Sequence, residues 1–232
     1  MRDTQIFLLA QGSQTRMQSL LDTPKQLITL QGEPMLLRTI RLLRKVRPDS
    51  ELIAVIPDLP VWDAVKAGVD RWITQTNPTY YQMDILRNMR STFGSASSVF
   101  LHGDVMWSSE ALHKIANTQK DFGFCVRGEW NIVTGNGRRE VYGFAVSSKG
   151  YPLLDSILQQ PLVTPCFTVK LLWDLVAQLQ EVAFEDTEII RLPGSDYTDD
   201  IDFPDDLRGA DFVDEFLQKQ EAVSLWRGAC GK

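Results

Sequence analysis

The sequence has few residues that could bind a soft metal or form disulfides. Among 232 residues there are three cysteines and two histidines. Cys125, Cys166 and Cys230 are too far apart for the closely spaced pairs of a zinc site, and His102 and His113 are not spaced to share a metal on a helix. An odd, sparse set of cysteines is typical of reduced thiols, so we expect a reducing compartment.

Basic charge and long apolar runs are also scarce. The 24 Lys and Arg against 30 Asp and Glu give a net charge of −6, whereas proteins that bind nucleic acid without sequence preference are normally basic. The longest apolar runs, such as Ile6 to Ala10, are far shorter than the roughly 20 residues that span a bilayer. The N-terminus lacks the features of a signal peptide. We therefore expect a cytoplasmic protein that binds no nucleic acid and does not insert into a membrane.

The composition, with 44% hydrophobic and 23% charged residues, is that of an ordinary folded domain. Short apolar runs alternate with segments of helical periodicity. This repetition predicts an α/β protein with three α/β/α layers and a mostly parallel mixed sheet, in a single domain over residues 1–232. The predicted strands cover residues 6–10, 51–57, 71–74, 99–102, 122–127, 141–147 and 188–192, and the predicted helices cover 34–45, 61–69, 84–93, 108–117, 151–158, 169–179 and 204–220.

Charge is unevenly distributed along the chain. Residues 16–47 contain seven basic residues and two acids, whereas residues 196–214 contain eight aspartates and one arginine. A polyanion site near one end and a cation site near the other would give this asymmetry, and so would two solvated surfaces. The residues predicted to form a solvated helix face are Arg38, Arg41, Arg44 and Lys45.

The loop after the first predicted strand is the most distinctive segment. It reads LAQGSQTRM over residues 9–17, and TPKQL follows over residues 23–27. Ligands bind at the carboxyl ends of parallel strands, where small residues let backbone N–H groups approach phosphate oxygens. Arg16 and Lys25 supply positive charge there. The segment favours a phosphate site over an ordinary turn with solvated bases.

Two acidic motifs follow later in the chain. Asp104 ends an apolar strand in the segment LHGDV, and Asp200 and Asp202 belong to DIDFPDDL over residues 200–207. A carboxylate at a strand end can hold a hard cation such as Mg²⁺. The outer side chains of an extended Asp-x-Asp share one face, so they can converge on a metal. The alternative is a common Gly-Asp turn and acidic residues at a helix N-terminus.

These motifs, in this order, resemble the signature of nucleotidyltransferases with a GT-A-like fold. The family includes sugar-1-phosphate nucleotidylyltransferases, bacterial phosphocholine cytidylyltransferases and molybdenum-cofactor nucleotidyltransferases. The segment LQGEPML over residues 30–36 also resembles the family, and the resemblance extends from Ile6 to about Asp211. Two positions depart from the pattern, because Gln11 and Gln14 stand where the family usually has Ala and Gly.

The resemblance implies a GT-A-like nucleotide-diphospho-sugar transferase fold. It also implies an enzyme that transfers a nucleoside monophosphate from a nucleoside triphosphate to a phosphorylated small molecule, releasing pyrophosphate. Arg16 and Lys25 would be the catalytic cations, and Mg²⁺ would bind Asp104 and Asp202, with Asp200 in support. The nucleotide-binding residues that the resemblance implies are Leu9, Ala10, Gln11, Gly12, Ser13, Asn88 and Ser91.

The base, the acceptor and the oligomeric state stay open. Nucleotide binding is expected in about residues 1–120 and acceptor binding in about residues 121–232. The second half contains a turn-rich segment, 128–140, in which Arg138 and Arg139 suit a phosphate, whereas Glu129 and Trp130 suit a quaternary ammonium. We favour a sugar 1-phosphate acceptor over phosphocholine. The alternatives are a molybdenum-cofactor-type guanylyl- or cytidylyltransferase and a nucleotide-binding regulatory domain without turnover.

Overall fold

The computed structural model describes residues 4–11, 23–30, 32–74, 82–93, 97–127, 140–159, 184–193 and 196–201. The helices predicted over 169–179 and 204–220 lie outside these residues. The turn-rich segment also lies outside them, except for Glu140.

The described residues build one large mixed sheet and two small two-stranded sheets. The strands are β1 (Thr4–Leu9), β2 (Thr29–Leu30), β3 (Glu33–Pro34), β4 (Glu51–Val55), β5 (Arg71–Ile73), β6 (Ser97–His102), β7 (Val105–Met106), β8 (Phe122–Arg127), β9 (Glu140–Val146), β10 (Thr187–Leu192) and β11 (Asp199–Asp200). The large sheet has seven strands in the order β10-β8-β9-β6-β1-β4-β5. Strand β9 is antiparallel to β6 and β8, and the other neighbours are parallel. The prediction of a mostly parallel mixed sheet is confirmed.

Helices connect many of these strands. The α-helices are α1 (Met35–Val46), α2 (Asp63–Gly68), α3 (Gln82–Met89), α4 (Ser109–Ala116) and α5 (Tyr151–Gln159), and short 3-10 helices cover Lys25–Leu27, Pro60–Trp62, Arg90–Thr92 and Phe184–Asp186. Ser108 caps α4 as its sequence predicts, because its Oγ accepts a hydrogen bond of 2.9 Å from the Ala111 N–H. Among the described helices, none has the length and apolar character needed to cross a bilayer.

Apolar side chains cover both faces of the sheet. Along β1, Ile6 and Leu8 belong to one buried cluster and Phe7 to another, since successive side chains of a strand point to opposite faces. The first cluster includes residues of α1, α2 and α4, and the second includes residues of α3 and α5. In the second cluster, the Phe100 ring stacks between Phe7 and Phe144, at centroid distances of 4.9 and 4.6 Å. The described helices therefore form layers on the two faces of the sheet.

One basic residue of helix α1 is buried, although the sequence predicts that it is exposed to solvent. Arg41 is exposed and pairs with Glu33, but Arg38 is only 7% exposed. The prediction that Arg38 belongs to a solvated face is wrong. Its guanidinium donates to the Trp107 carbonyl and to the Tyr197 hydroxyl, and these acceptors offset part of the cost of burying the charged group.

The carboxyl ends of the parallel strands lie at one edge of the sheet. In register, Leu9 of β1 pairs with Val55 and His102, so the loops after β1, β4 and β6 leave from this edge. Because β9 is antiparallel, it begins at the same edge, where Glu140 lies opposite Arg127, the last residue of β8. This edge is the place where open α/β sheets bind ligands.

Candidate active site

Buried Lys25 and half-buried Asp104 form an ion pair at the carboxyl edge. Lys25 belongs to a 3-10 helix that follows Pro24, and Leu27 anchors this helix in the core. Lys25 is 6% exposed, and its Nζ lies 2.5 Å from Oδ2 of Asp104. Burial by itself would raise the pKa of Asp104, but the Lys25 ammonium and His102 oppose it and hold this pKa below its usual value. Asp104 therefore stays ionised.

Gly103 lets the Asp104 turn approach the end of β1. Its N–H donates to the Leu9 carbonyl over 2.8 Å. A Cβ atom at this position would lie 2.9 Å from the Ala10 Cβ and 3.0 Å from the Leu9 oxygen, closer than side chains tolerate. A glycine is therefore needed here to bring the two loops together.

The second acidic motif lies beside the first. We call residues 196–201 the strap. Within it, β11 pairs with β7 in antiparallel register, so that Asp200 lies opposite Val105. The Ile201 N–H also donates to the Asp104 carbonyl over 3.0 Å. The structure thus brings together Lys25, Asp104 and Asp200, whereas Asp202 lies just beyond the described residues.

Three carboxylates cluster at this point, and one of them makes several contacts within the protein. Oxygen atoms of Glu140, Asp199 and Asp200 lie within 4.8 Å of one another. Asp199 is completely buried and forms an ion pair with Arg127. Its Oδ1 also accepts from the Tyr142 hydroxyl over 2.6 Å and from the Asp200 N–H over 3.1 Å. Asp199 therefore holds the strap against β8 and β9.

Asp200 has a strongly altered acidity. Its burial, its hydrogen bond with Glu140 and the negative charges of Glu140, Asp104 and Asp199 together raise the pKa of Asp200 to about 9. A raised pKa of this kind indicates carboxylates crowded in a poorly solvated place. Carboxylate oxygens are also the ligands that a hard divalent cation prefers. The donor set at this edge therefore fits Mg²⁺, which the resemblance implies.

The implied nucleotide-binding residues are only partly described. Leu9 and Ala10 are buried where β1 ends, and the Ala10 N–H donates to the Val55 carbonyl. The Oε1 atom of Gln11 is buried and accepts no hydrogen bond from the residues that the structure describes. The side chains of Asn88, on α3, and Ser91, on the 3-10 helix after it, are exposed. The implied residues Gly12, Ser13 and Arg16 lie outside the described part of the chain.

Sequence reasoning missed Glu140, Asp199, Arg127 and Tyr142. A signal for two of them exists, because Arg127 and Glu140 are opposite charges at the facing ends of strands that flank the turn-rich segment. Asp199 directly precedes Asp200 in the acidic segment of the sequence. Nothing in the sequence indicates that Asp199 would pair with Arg127, 72 residues away.

Comparisons with known proteins agree with the fold. The chain matches the family model of the MobA-like NTP transferase domain over residues 6–183. No curated protein sequence matches it. The matched range includes Lys25 and Asp104 and ends before the strap.

Solved structures share the architecture at low sequence identity. One is a protein assigned as a glucose-1-phosphate thymidylyltransferase from Bacillus anthracis, in complex with a sucrose, with 13% identity and a TM-score of 0.63 over 90% of this chain and 94% of that chain. Another is the inositol-1-phosphate CTP transferase from T. maritima, with 15% identity and a TM-score of 0.64 over 90% of this chain and 95% of that chain. The predicted GT-A-like fold is confirmed.

Proposed function

The chain belongs to the MobA-like NTP transferase domain family and is an enzyme of the nucleotidyltransferase type, and from this premise we propose its reaction. It transfers a nucleoside monophosphate from a nucleoside triphosphate to a sugar 1-phosphate or a related phosphorylated small molecule, with Mg²⁺. The observation that carries the proposal is the meeting of Lys25, Asp104 and Asp200 at one edge of the sheet. The names of the two structural neighbours, which refer to glucose 1-phosphate and inositol 1-phosphate, support the acceptor class.

The proposed reaction is an in-line displacement at phosphorus. A phosphate oxygen of the acceptor attacks the α-phosphorus, and the bond from this phosphorus to the bridging oxygen breaks to release pyrophosphate. Such a reaction needs little covalent chemistry from the protein. The rate enhancement therefore comes mainly from positioning the substrates and neutralising the charge of their phosphates. Lys25 is suited to this task because its ammonium is held in place by Asp104 on a core-anchored turn. We assign the same task to Arg16.

Asp104 and Asp202 are the residues that we propose as direct ligands of Mg²⁺, with Asp200 in support. When bound, the cation supplies positive charge to the phosphates of both substrates. Asp200 and Glu140 share a hydrogen bond, so their carboxyls are oriented before any ligand arrives. Asp199 is not proposed as a ligand, because its side chain is completely buried and its Oδ1 already contacts Arg127 and Tyr142.

The end of β1 is proposed to hold the nucleotide. Backbone groups of residues 9–13 approach the phosphates and the base, and Asn88 and Ser91 contribute polar contacts from α3 and the turn after it. The buried Oε1 atom of Gln11 has no hydrogen-bond partner among the described residues, and this supports a substrate contact at this position, since a buried polar atom is normally hydrogen-bonded.

Pyrophosphate release over a panel of substrates tests the proposal. Each of the common nucleoside triphosphates is combined with glucose 1-phosphate, inositol 1-phosphate, phosphocholine or molybdopterin, with Mg²⁺ and then with EDTA. We expect release with a sugar or inositol phosphate, and its loss in EDTA. Release with molybdopterin alone would overturn the proposed acceptor, and triphosphate binding without release for any acceptor would indicate a regulatory domain.

The choice between the two aspartates of the late motif has its own test. Asp202→Asn should abolish turnover, whereas Asp200→Asn should lower it by less. The opposite ranking would make Asp200 the direct ligand. Because Asn is nearly the same shape as Asp, circular dichroism of both variants should match that of the unaltered protein.

A further inference from the structure

Arg38 is a buried cation to which the proposed reaction gives no role. It is 7% exposed, on helix α1. Its NH1 donates to the Trp107 carbonyl over 2.7 Å, and its NH2 donates to the Tyr197 hydroxyl over 3.1 Å. The guanidinium carbon also lies 5.6 Å from the centroid of the Tyr197 ring, within the range of a cation–π contact. Arg38 therefore joins three segments that are distant in sequence.

The two partners of Arg38 belong to the segments that carry the acidic residues. Trp107 follows β7, three residues after Asp104, and Tyr197 lies in the strap, three residues before Asp200. A second set of contacts attaches the same part of the strap to the start of α4. Ser108 donates from its Oγ to Asp196 over 2.8 Å and from its N–H to the Thr198 hydroxyl over 2.9 Å.

Helix α1 also begins beside the catalytic lysine. The N–H of Met35, the first residue of α1, donates to the Ile28 carbonyl over 2.9 Å. Ile28 in turn donates to the Lys25 carbonyl over 3.2 Å. A rigid helix that starts next to the Lys25 turn thus reaches, through Arg38, both the Asp104 turn and the strap.

We propose that Arg38 is a positioning residue that holds the strap against the Asp104 turn, so that the late acidic motif meets Lys25 and Asp104 in the geometry that binds the cation. This proposal rests on the proposed function, because the cation that it names is the Mg²⁺ of the proposed reaction. A guanidinium fits this task because its fixed fork can satisfy a carbonyl and a hydroxyl at once. An ordinary core residue would stabilise the whole fold without controlling the strap in particular.

The test compares three variants with a matched control on the same helix. Arg38→Met removes the charge and both hydrogen bonds, Arg38→Lys keeps the charge without the fork, and Tyr197→Phe removes only the hydroxyl and keeps the ring. Arg41→Met is the control, because Arg41 is 47% exposed and pairs with Glu33 at the surface. The first measurement is amide hydrogen exchange of the substrate-free protein, resolved for the strap and for β1.

In Arg38→Met we expect the Thr198 and Ile201 amides to exchange about tenfold faster, while the β1 amides change little, since local opening is distinct from global unfolding. Arg38→Lys and Tyr197→Phe should give smaller increases, and Arg41→Met none. Equal acceleration in the strap and in β1 would make Arg38 an ordinary core residue and overturn the proposal. Unchanged strap exchange in Arg38→Met would also overturn it.

The second measurement is the Mg²⁺ concentration that gives half-maximal turnover. We expect Arg38→Met to raise it about tenfold, with activity recovering at saturating Mg²⁺, because a displaced strap weakens cation binding. A lower turnover at every Mg²⁺ concentration, with an unchanged half-maximal value, would contradict the proposal. If the unaltered protein turns over no substrate pair, the proposed function fails, whereas the exchange measurement still decides the role of Arg38.

Discussion

Two cation–carboxylate pairs lie at the carboxyl edge of the sheet, and their carboxylates differ in how far they are buried. Asp104 pairs with Lys25, and its side chain is 23% exposed. Asp199 pairs with Arg127, and its side chain is completely buried. It also accepts hydrogen bonds from the Tyr142 hydroxyl and the Asp200 N–H.

The difference separates the pair that we propose to take part in the reaction from a pair that is structural. Arg127 and Tyr142 both contact Oδ1 of Asp199, and the side chain is completely buried, so this carboxylate is poorly accessible to a ligand. Asp104 keeps exposed surface at the place where substrates would arrive. The two pairs resemble each other in composition, and their surroundings assign the roles. The following variants test this distinction, from the largest expected effect to the smallest.

Asp104→Asn should lower turnover by about 10³-fold, because the loss of a charged cation ligand removes several kcal/mol of transition-state stabilisation. Pyrophosphate release with the substrates identified by the panel measures the effect. Glu110→Gln is the control, since Glu110 is an exposed carboxylate that pairs with Lys114 on α4. Full activity in Asp104→Asn would place the cation site elsewhere.

Asp199→Asn should act on stability. The substitution removes the closer of two carboxylates that pair with the buried Arg127 guanidinium, since Glu140 lies 3.4 Å from it, and breaking a buried pair costs about 3–5 kcal/mol. Denaturant unfolding at neutral pH measures the free energy of unfolding. The comparison variant is Glu33→Gln, which breaks the exposed pair with Arg41 and should cost at most about 1 kcal/mol. Similar losses in the two variants would contradict a structural role for Asp199.

Lys25→Met keeps an apolar stem and deletes the ammonium. We expect kcat/KM to fall by about 10²-fold or more, because a positioned cation near developing phosphate charge is worth roughly 3 kcal/mol. Steady-state kinetics with both substrates varied measures the change. A loss of less than about tenfold would show that the charge of Lys25 contributes little to the reaction.

The Arg90–Asp155 ion pair is more exposed to solvent than the two pairs compared above, since its side chains are 35% and 31% exposed. The hydrogen bond from Arg90 is the largest cause that lowers the pKa of Asp155, against the opposing effect of burial. Because the folded-state pKa is lowered, the stabilisation is present above the unfolded pKa of about 3.9 and is lost as the pH falls through the lower folded-state value.

Asp155→Asn should therefore cost at most about 1 kcal/mol at neutral pH and nothing below the folded-state pKa. Unfolding of both proteins over a pH series measures the difference. A difference that grew on acidification would contradict the sign of the pKa shift.

The sequence predicts best those features whose cause is local. The apolar run at Ile6 to Ala10 predicts a buried parallel strand, since such strands are covered on both faces, and β1 is buried along its length. Ser108 is predicted as a helix cap because a cap needs only a side-chain oxygen near the first amides. Asp104 is predicted at the end of a strand because the apolar run before it is also a local pattern.

The prediction fails where the cause is distant in sequence. Arg38 is expected at the surface because helical periodicity places charged residues outward. Its burial depends on acceptors at Trp107 and Tyr197, which are 69 and 159 residues away. The antiparallel direction of β9 likewise depends on how the strands around the turn-rich segment pair, and periodicity alone does not contain that information.

By itself, the sequence determined the alternation of strands and helices, the small-residue loop after β1 and the order of the basic and acidic motifs. These follow from local patterns of apolar and charged residues. Asp199 and Asp200 are adjacent in sequence, and only the tertiary structure decided that Asp199 pairs with Arg127 whereas Asp200 lies beside Glu140 with a raised pKa. Their difference arises because the acidity and hydrogen bonding of a buried group depend on the charges that folding brings beside it.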